Sequence, residues 1–334
     1  MMKAFIVDSY GKKVNGRIGP MPIPEIKADE VLVQIHAAGV NLIDSKIRNG
    51  EFKLILPYHM PLILGHDVAG VVVEVGSQVR QFKPGDEVYS RPDDFQIGAF
   101  AELIAIKEDS LALKPKTLSM EEAASIPLVG LTVWQALIEQ ANLKKGQKVF
   151  IQAGSGGVGT FAIQLAKHIG ATVATTTSTA NIDLVKGLGA DIVIDYKKDD
   201  FEKILRDYDV VLNSQDGKTL DKSLQILKPG GKLISISGPP DVDFAKKIGA
   251  PWFVQFIMRL LSSGVRRKAM RRHIDYSFLF MRAHGPQLRE ITALIDSGAI
   301  RPVVDRVFPF EATGEAMAYV EKGRAKGKVV IKIR

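Results

Sequence analysis

The chain has 334 residues, 46% of them hydrophobic and 25% charged, with no cysteine and 45 basic against 37 acidic side chains for a net charge of +8. Set against a usual domain size of ~150 residues, this length implies about two domains with full cores, and the missing thiols exclude disulfide scaffolds, thiolate nucleophiles, iron–sulfur clusters and cysteine-ligated zinc. The positive excess suits an anionic ligand but is too diffuse to argue for nucleic acid, and no apolar run approaches the ~20 residues that span a bilayer. Asp8 interrupts the start of the chain where a secretory leader would need its apolar stretch, so a cytoplasmic protein without a leader is expected.

Up to about residue 120 the sequence reads as strands. Residues 31–38 and 68–75 are rich in β-branched side chains, and Lys83-Pro-Gly-Asp86 is turn chemistry ahead of another short strand. From about 122 the rhythm changes to apolar strands alternating with helical patterns. Strands are predicted at 149–153, 172–177, 192–194, 210–213 and 232–237, with helices running up to Ile169, up to Leu188 and around Leu220–Leu227, the last stopped by Lys228-Pro-Gly-Gly231. This is the alternation of a doubly wound parallel sheet. A helix at 286–297, a strand at 303–308, a helix at 312–321 and a strand at 329–333 close the chain. The α/β domain, 123–298, is therefore expected to be inserted into a β-rich one made of 1–122 and 299–334.

The sharpest local motif is Ala153-Gly154-Ser155-Gly156-Gly157-Val158-Gly159. Gly154, Gly156 and Gly159 satisfy G-x-G-x-x-G directly after a strand and before an amphipathic helix, the context in which a dinucleotide pyrophosphate meets free N–H groups at a helix N-terminus. A site for NAD places an acid at the end of the second strand, about 20 residues on. Here the chain reads Thr177-Ser178-Thr179-Ala180-Asn181: no carboxylate stands there to repel a 2′-phosphate, and Ser178, Thr179 and Asn181 can donate to one. The predicted cofactor is NADPH. Tyr196, with Lys197 and Lys198 beside it, either closes the phosphate pocket or covers the sheet edge.

Several motifs in order carry a family resemblance over nearly the whole chain: Gly39-Val-Asn41-Leu-Ile-Asp44, Gly65-His66-Asp67-Val-Ala-Gly70, Pro84-Gly85-Asp86, Ala123-Ala-Ser-Ile-Pro127-Leu-Val-Gly130-Leu-Thr132, the glycine loop, Leu188-Gly-Ala-Asp191 and Lys228-Pro-Gly-Gly231. The chain resembles the medium-chain dehydrogenase/reductase superfamily, and within it the zinc-free quinone oxidoreductase branch. The resemblance implies a GroES-like β-rich domain and a Rossmann domain with the active site in the cleft between them, a homodimer, Thr132 at the nicotinamide amide, and Ser237 and Gly238 beside the same ring. It also implies that Asn41 and Asp44 border the nicotinamide and substrate. The residues themselves offer another reading of that pair, a helix N-cap with an acid three positions on, and both can hold.

Zinc-dependent relatives ligate the metal with Cys, His and a later Cys or similar group. At those positions this chain has Asn41, His66 and, nearby, Leu128, so His66 is expected to be a hydrogen-bonded packing residue. Without a Lewis acid a plain ketone loses several kcal/mol of activation. Quinones and α,β-unsaturated carbonyls, which spread the charge left by hydride over a conjugated system, become the natural acceptors. Two alternatives remain: an enoyl-thioester reductase, and a non-catalytic NADPH-binding sensor or interaction protein. The segment 252–273 carries Arg259, Arg266, Arg267, Lys268, Arg271 and Arg272 among large apolar residues and no acid. It reads as an amphipathic helix packed on the protein, as a peripheral contact with a membrane surface, or as a contact with RNA or an acidic protein.

Overall fold

The computed structural model describes residues 1–12, 16–53 and 55–334. The chain divides into two compact units, one of Met1–Leu131 with Arg282–Arg334 and one of Thr132–Met281. The first unit opens with β1 (Met2–Val7), β2 (Arg17–Met21), β3 (Glu30–Val40), α1 (Leu42–Arg48), β4 (Leu62–Ile63), β5 (Asp67–Val75), β6 (Glu87–Ser90), β7 (Leu103–Lys107) and β8 (Leu111–Leu113). The long apolar run of β3 makes it the central strand: it is almost wholly buried and pairs with β5 and β7. Helices α2 (Met120–Ala124) and α3 (Pro127–Trp134) follow, α2 started by Ser119, whose hydroxyl accepts from the Glu122 N–H while Glu122 Oε2 accepts from Ser119 N.

The second unit alternates β9 (Lys148–Ile151), α4 (Gly157–Ile169), β10 (Thr172–Thr177), α5 (Ile182–Gly187), β11 (Ile192–Asp195), α6 (Phe201–Ile204), β12 (Tyr208–Asn213), α7 (Gly217–Ile226), β13 (Leu227–Ser235), α8 (Val242–Lys247), α9 (Trp252–Arg271) and β14 (Asp275–Phe278). All pairs are parallel and the strand order is β11-β10-β9-β12-β13-β14. Counted from β9, that is 3-2-1-4-5-6, the doubly wound order whose direction reverses between β9 and β12, and a crevice for ligand opens at the carboxyl ends of those two strands. The short, buried, β-branched strands carry a core of Phe150, Val211, Leu233, Leu220 and Leu224, with Phe150 stacked on Phe201 at 4.7 Å.

Two details differ from the sequence expectation. Pairing of β13 with β12 begins at Leu227, ahead of the Pro-Gly-Gly turn, and resumes at Lys232, so the turn is a bulge inside the strand. The sixth strand, β14, was hidden because its four residues are an edge strand with no buried position.

The first unit is completed by α10 (Gly285–Asp296), β15 (Val304–Pro309), α11 (Thr313–Glu321) and β16 (Lys328–Lys332). Its seven-stranded sheet runs β15-β16-β3-β5-β6-β8 with β7 on β3, beside a small sheet β2-β1-β4. Phe5, Val33, Ile35, Val68, Val88, Ile106 and Ile331 share one core. The antiparallel register Val329↔Val40 ties the C-terminal strand to the strand that leads into α1.

Candidate functional site

In the second unit the loop after β9 is shaped by contacts that leave no room for side chains. A Cβ on Gly154 would lie 2.2 Å from Thr175 Oγ1, and one on Gly159 would lie 2.4 Å from the Ala153 carbonyl oxygen. These two glycines let α4 sit against the strand ends. Gly156 differs, since its Cβ would meet only the Ala153 oxygen at 3.4 Å. Its open side faces the start of α4, where Gly156 is the N-cap and no side chain caps the N–H groups of Gly157, Val158 and Gly159. Uncapped donors at the positive end of a helix, approached across a glycine, form an anion site, and they fit a pyrophosphate.

The end of β10 lies beside this loop. Ser155 Oγ accepts from Thr177 Oγ1 at 3.0 Å and from Asn181 Nδ2 at 3.1 Å, while the buried Asn181 Oδ1 has no hydrogen-bond partner among the described residues. An orphaned acceptor costs stability unless a ligand donor reaches it, as a ribose hydroxyl would. Ser178 is half-buried and Thr179 exposed. The parallel register Thr177↔Asp195 also brings in the Asp195 carboxylate, which the sequence reading gave no part in the pocket: Thr179 Oγ1 donates to Asp195 Oδ2 at 2.5 Å. The Thr179 hydroxyl, followed by the Lys197 N–H and the Lys198 ammonium, holds the Asp195 carboxyl below the usual carboxylate range. The Thr179 hydroxyl is therefore engaged by Asp195, and Asn181 is held at the loop through Ser155. Tyr196 follows Asp195 and is 60% exposed.

Across the crevice, buried polar groups fix the end of β13. Asn213 Nδ2 donates to Gln152 Oε1 at 2.8 Å, Gln152 Nε2 donates to Ser223 Oγ at 2.7 Å, and Asn213 Oδ1 accepts from Ser235 Oγ at 2.8 Å and Ser237 Oγ at 3.1 Å. Ser235 Oγ also accepts from the Gly238 N–H at 3.2 Å and lies 2.8 Å from the Gly238 carbonyl oxygen, which locks the turn carrying Ser237 and Gly238. Gln152 was not singled out in the sequence, although a buried amide at the end of a central strand is the available signal. Thr132 is buried on α3.

The first unit holds a second polar cluster, around Asn41. The Asn41 backbone N–H donates to Asp44 Oδ2 at 2.7 Å, so Asp44 closes the start of α1. The Asn41 side chain makes no cap bond; its Nδ2 donates to Asp67 Oδ2 at 2.9 Å and its Oδ1 accepts from Lys328 Nζ at 2.5 Å. Lys328 Nζ also reaches Asp67 Oδ2 at 2.9 Å, and Asp67 Oδ1 accepts from the Leu128 backbone N–H at 2.6 Å. His66 Nδ1 lies 2.5 Å from Asp44 Oδ1 with its ring fully buried and Nε2 without a partner among the described residues. Capping and membership of a buried network thus coexist at Asn41 and Asp44. Lys328 was not foreseen, because only the register of β16 on β3 reveals that it reaches them.

Zinc does not fit this cluster. The ammonium of Lys328 is the cation that the Asp67 carboxylate and the Asn41 carboxamide already hold, and His66 is the single soft donor among them. Among the described residues no group of three or more His, Cys, Asp or Glu side chains could hold a metal ion.

A doubly wound sheet with this glycine loop, joined to a β-rich unit built from both ends of the chain, defines a two-domain dehydrogenase or reductase. The model for the alcohol dehydrogenase GroES-like domain matches residues 27–116 and that for zinc-binding dehydrogenases matches residues 188–331. The chain belongs to the medium-chain dehydrogenase/reductase superfamily, in its quinone oxidoreductase-like branch. It is 36% identical to the mitochondrial NAD(P)H oxidoreductase RTN4IP1 of Danio rerio, over 100% of this chain and 92% of that protein. It is likewise 36% identical to the chloroplastic NADPH-dependent alkenal/one oxidoreductase of Arabidopsis thaliana, over 99% of this chain and 79% of the relative. The structure of the quinone oxidoreductase from Coxiella burnetii superposes with a TM-score of 0.86 at 32% identity, covering 100% of this chain and 99% of that one.

Proposed function

We propose that this protein is an NADPH-dependent oxidoreductase that transfers hydride to a quinone or an α,β-unsaturated carbonyl without a metal ion. The observation that carries the proposal is the Lys328 ammonium on Asp67 and Asn41, Asn41 being one of the positions at which zinc-dependent relatives carry a metal ligand. No Lewis acid is available there to polarise an isolated ketone, so the acceptor has to delocalise the arriving charge itself. The similarity to an alkenal/one oxidoreductase and to a quinone oxidoreductase supports the same acceptor class.

Bound NADPH supplies the hydride. The uncapped first turn of α4 binds its pyrophosphate, Ser178 donates to the ribose phosphate, and the free Asn181 Oδ1 accepts from a ribose hydroxyl. The Asn213 network fixes Ser237 and Gly238, the turn assigned to the nicotinamide ring. Asn41 and Asp44 act by position: both ends of the Asn41 carboxamide are engaged, so its part is to hold the Asp67–Lys328 network in place. In an enone the hydride forms a C–H bond at the β-carbon, the C=C pair moves to the oxygen, and water protonates the resulting enolate. In a quinone the hydride brings both electrons and one proton, and water supplies the second proton that completes the hydroquinone.

The test is NADPH oxidation at 340 nm with chelator-treated protein and a panel of quinones, enones, plain ketones and an enoyl thioester. The thioester is included because the CurK enoyl reductase superposes at a TM-score of 0.84 with 25% identity. Turnover confined to conjugated acceptors supports the proposal. Turnover of plain ketones that chelation abolishes refutes it.

A further inference from the structure

Helix α9 rests on its own unit by a narrow stripe, Met258, Ser262, Val265 and Ala269, spaced as one face of a helix. The opposite face is exposed among the described residues, and its first half is apolar. At 3.6 residues per turn, Trp252, Phe253, Phe256, Ile257 and Leu260 share that outer face over the first half of the helix. Trp252 is 79% exposed, Leu260 57% and Phe256 56%. The same face in the second half carries Arg267 and Arg271, flanked by Arg266, Lys268 and Arg272. Between Asp243 and Asp275 the chain has no acidic residue, and among the described residues Lys268 is the one cation of α9 in an ion pair, with Asp221 at 2.6 Å.

A solvated helix face carries charge, not a run of large aromatic and aliphatic side chains, and a contiguous exposed apolar patch marks an interaction surface. Two features choose the occupant. The aromatic and aliphatic half matches the boundary between headgroups and acyl chains, where Trp is favoured, and the arginine half matches phosphate oxygens. A second copy meeting this face about a two-fold axis would bring the same patch to itself, with no carboxylate to answer the arginines. No helix among the described residues is long and apolar enough to cross a membrane, so α9 would lie in the plane of the interface. We propose that α9 is an interfacial anchor that seats this protein on an anionic lipid surface, its first half inserted and its second half on the headgroups. The inference stands on the helix alone and is independent of the activity proposed above.

The full chain is sedimented with vesicles of phosphatidylcholine alone or mixed with phosphatidylglycerol, at low and high salt, while Trp252 emission is followed with a Trp252→Phe control. Binding to the anionic vesicles, weakened by salt and accompanied by a blue shift that the control lacks, is expected. Each Arg near such a surface contributes about 1 kcal/mol, roughly fivefold in partition, so changing Arg266, Arg267, Arg271 and Arg272 to Gln weakens binding by about a hundredfold or more. Changing Trp252, Phe256 and Leu260 to Ser abolishes it even at low salt. NADPH affinity, read in both variants, reports that each has folded. Equal binding to zwitterionic vesicles, or binding indifferent to both sets of changes, overturns the proposal. So does a chain inert to vesicles whose self-association, measured by sedimentation velocity, is lost in the serine variant, which would make the face a contact between copies.

Discussion

Replacing Lys328 by Met tests whether the ammonium holds the Asn41 cluster together. Lys328 is 6% exposed and donates to the fully buried Asp67 at 2.9 Å and to Asn41 Oδ1. Removing one partner of a buried ion pair costs about 3–5 kcal/mol, because the other charge is left without compensation. Asp67 keeps two other donors, Asn41 Nδ2 at 2.9 Å and the Leu128 N–H at 2.6 Å, which places the loss at the lower end, about 3 kcal/mol. For a unit of this size that is a fall in melting temperature of about 6–12 °C. Adding Asp67→Asn removes the uncompensated charge while retaining acceptor capacity, so the double variant regains at least about 1 kcal/mol over Lys328→Met alone. Thermal unfolding followed by circular dichroism, with NADPH affinity as a control on the second unit, reads both outcomes. A fall of less than about 2 °C, or a double variant no more stable than the single one, would refute the reasoning.

Gly156→Ala is expected to fold with an unchanged melting temperature, since its Cβ meets one oxygen at 3.4 Å, yet to lose at least tenfold in NADPH affinity by calorimetry, because the methyl enters the phosphate approach. Gly159→Ala, whose Cβ would lie 2.4 Å from a backbone oxygen, instead melts several degrees lower. Ser178→Asp is expected to lower kcat/KM for NADPH at least tenfold while sparing NADH, and an unchanged ratio would remove Ser178 from the phosphate site. Burial pushes the Tyr208 phenol up to about 12, against ~10 in an unfolded chain. Its contribution to stability is therefore complete below about pH 10 and is lost as pH rises toward 12, since the unfolded chain ionises first. Urea midpoints at pH 9 and 11 should show this decline, and Tyr208→Phe should make it shallower.

The second unit was legible because its signals are local. Strand and helix periods alternate, and the glycine loop announces both a turn and a close approach within seven residues. The first unit's cluster was only half legible. Asn41 and Asp44 are three residues apart on one helix start, but Lys328 meets them through the pairing Val329↔Val40, and no local pattern encodes a register across most of the chain. Asp195 shows the same limit. The end of β10 contains no acid, yet the parallel register with β11 sets a carboxylate against Thr179, so two strand ends have to be read together. The edge strand β14 escaped because four half-exposed residues carry no periodic pattern.

The central claim is hydride transfer from NADPH to a conjugated acceptor without a metal ion. Its most direct test is the rate of NADPH oxidation by chelator-treated protein with one enone and its saturated ketone, each assayed with and without added zinc. The account predicts turnover of the enone alone, unaffected by zinc. Reduction of the saturated ketone that depends on zinc would contradict it.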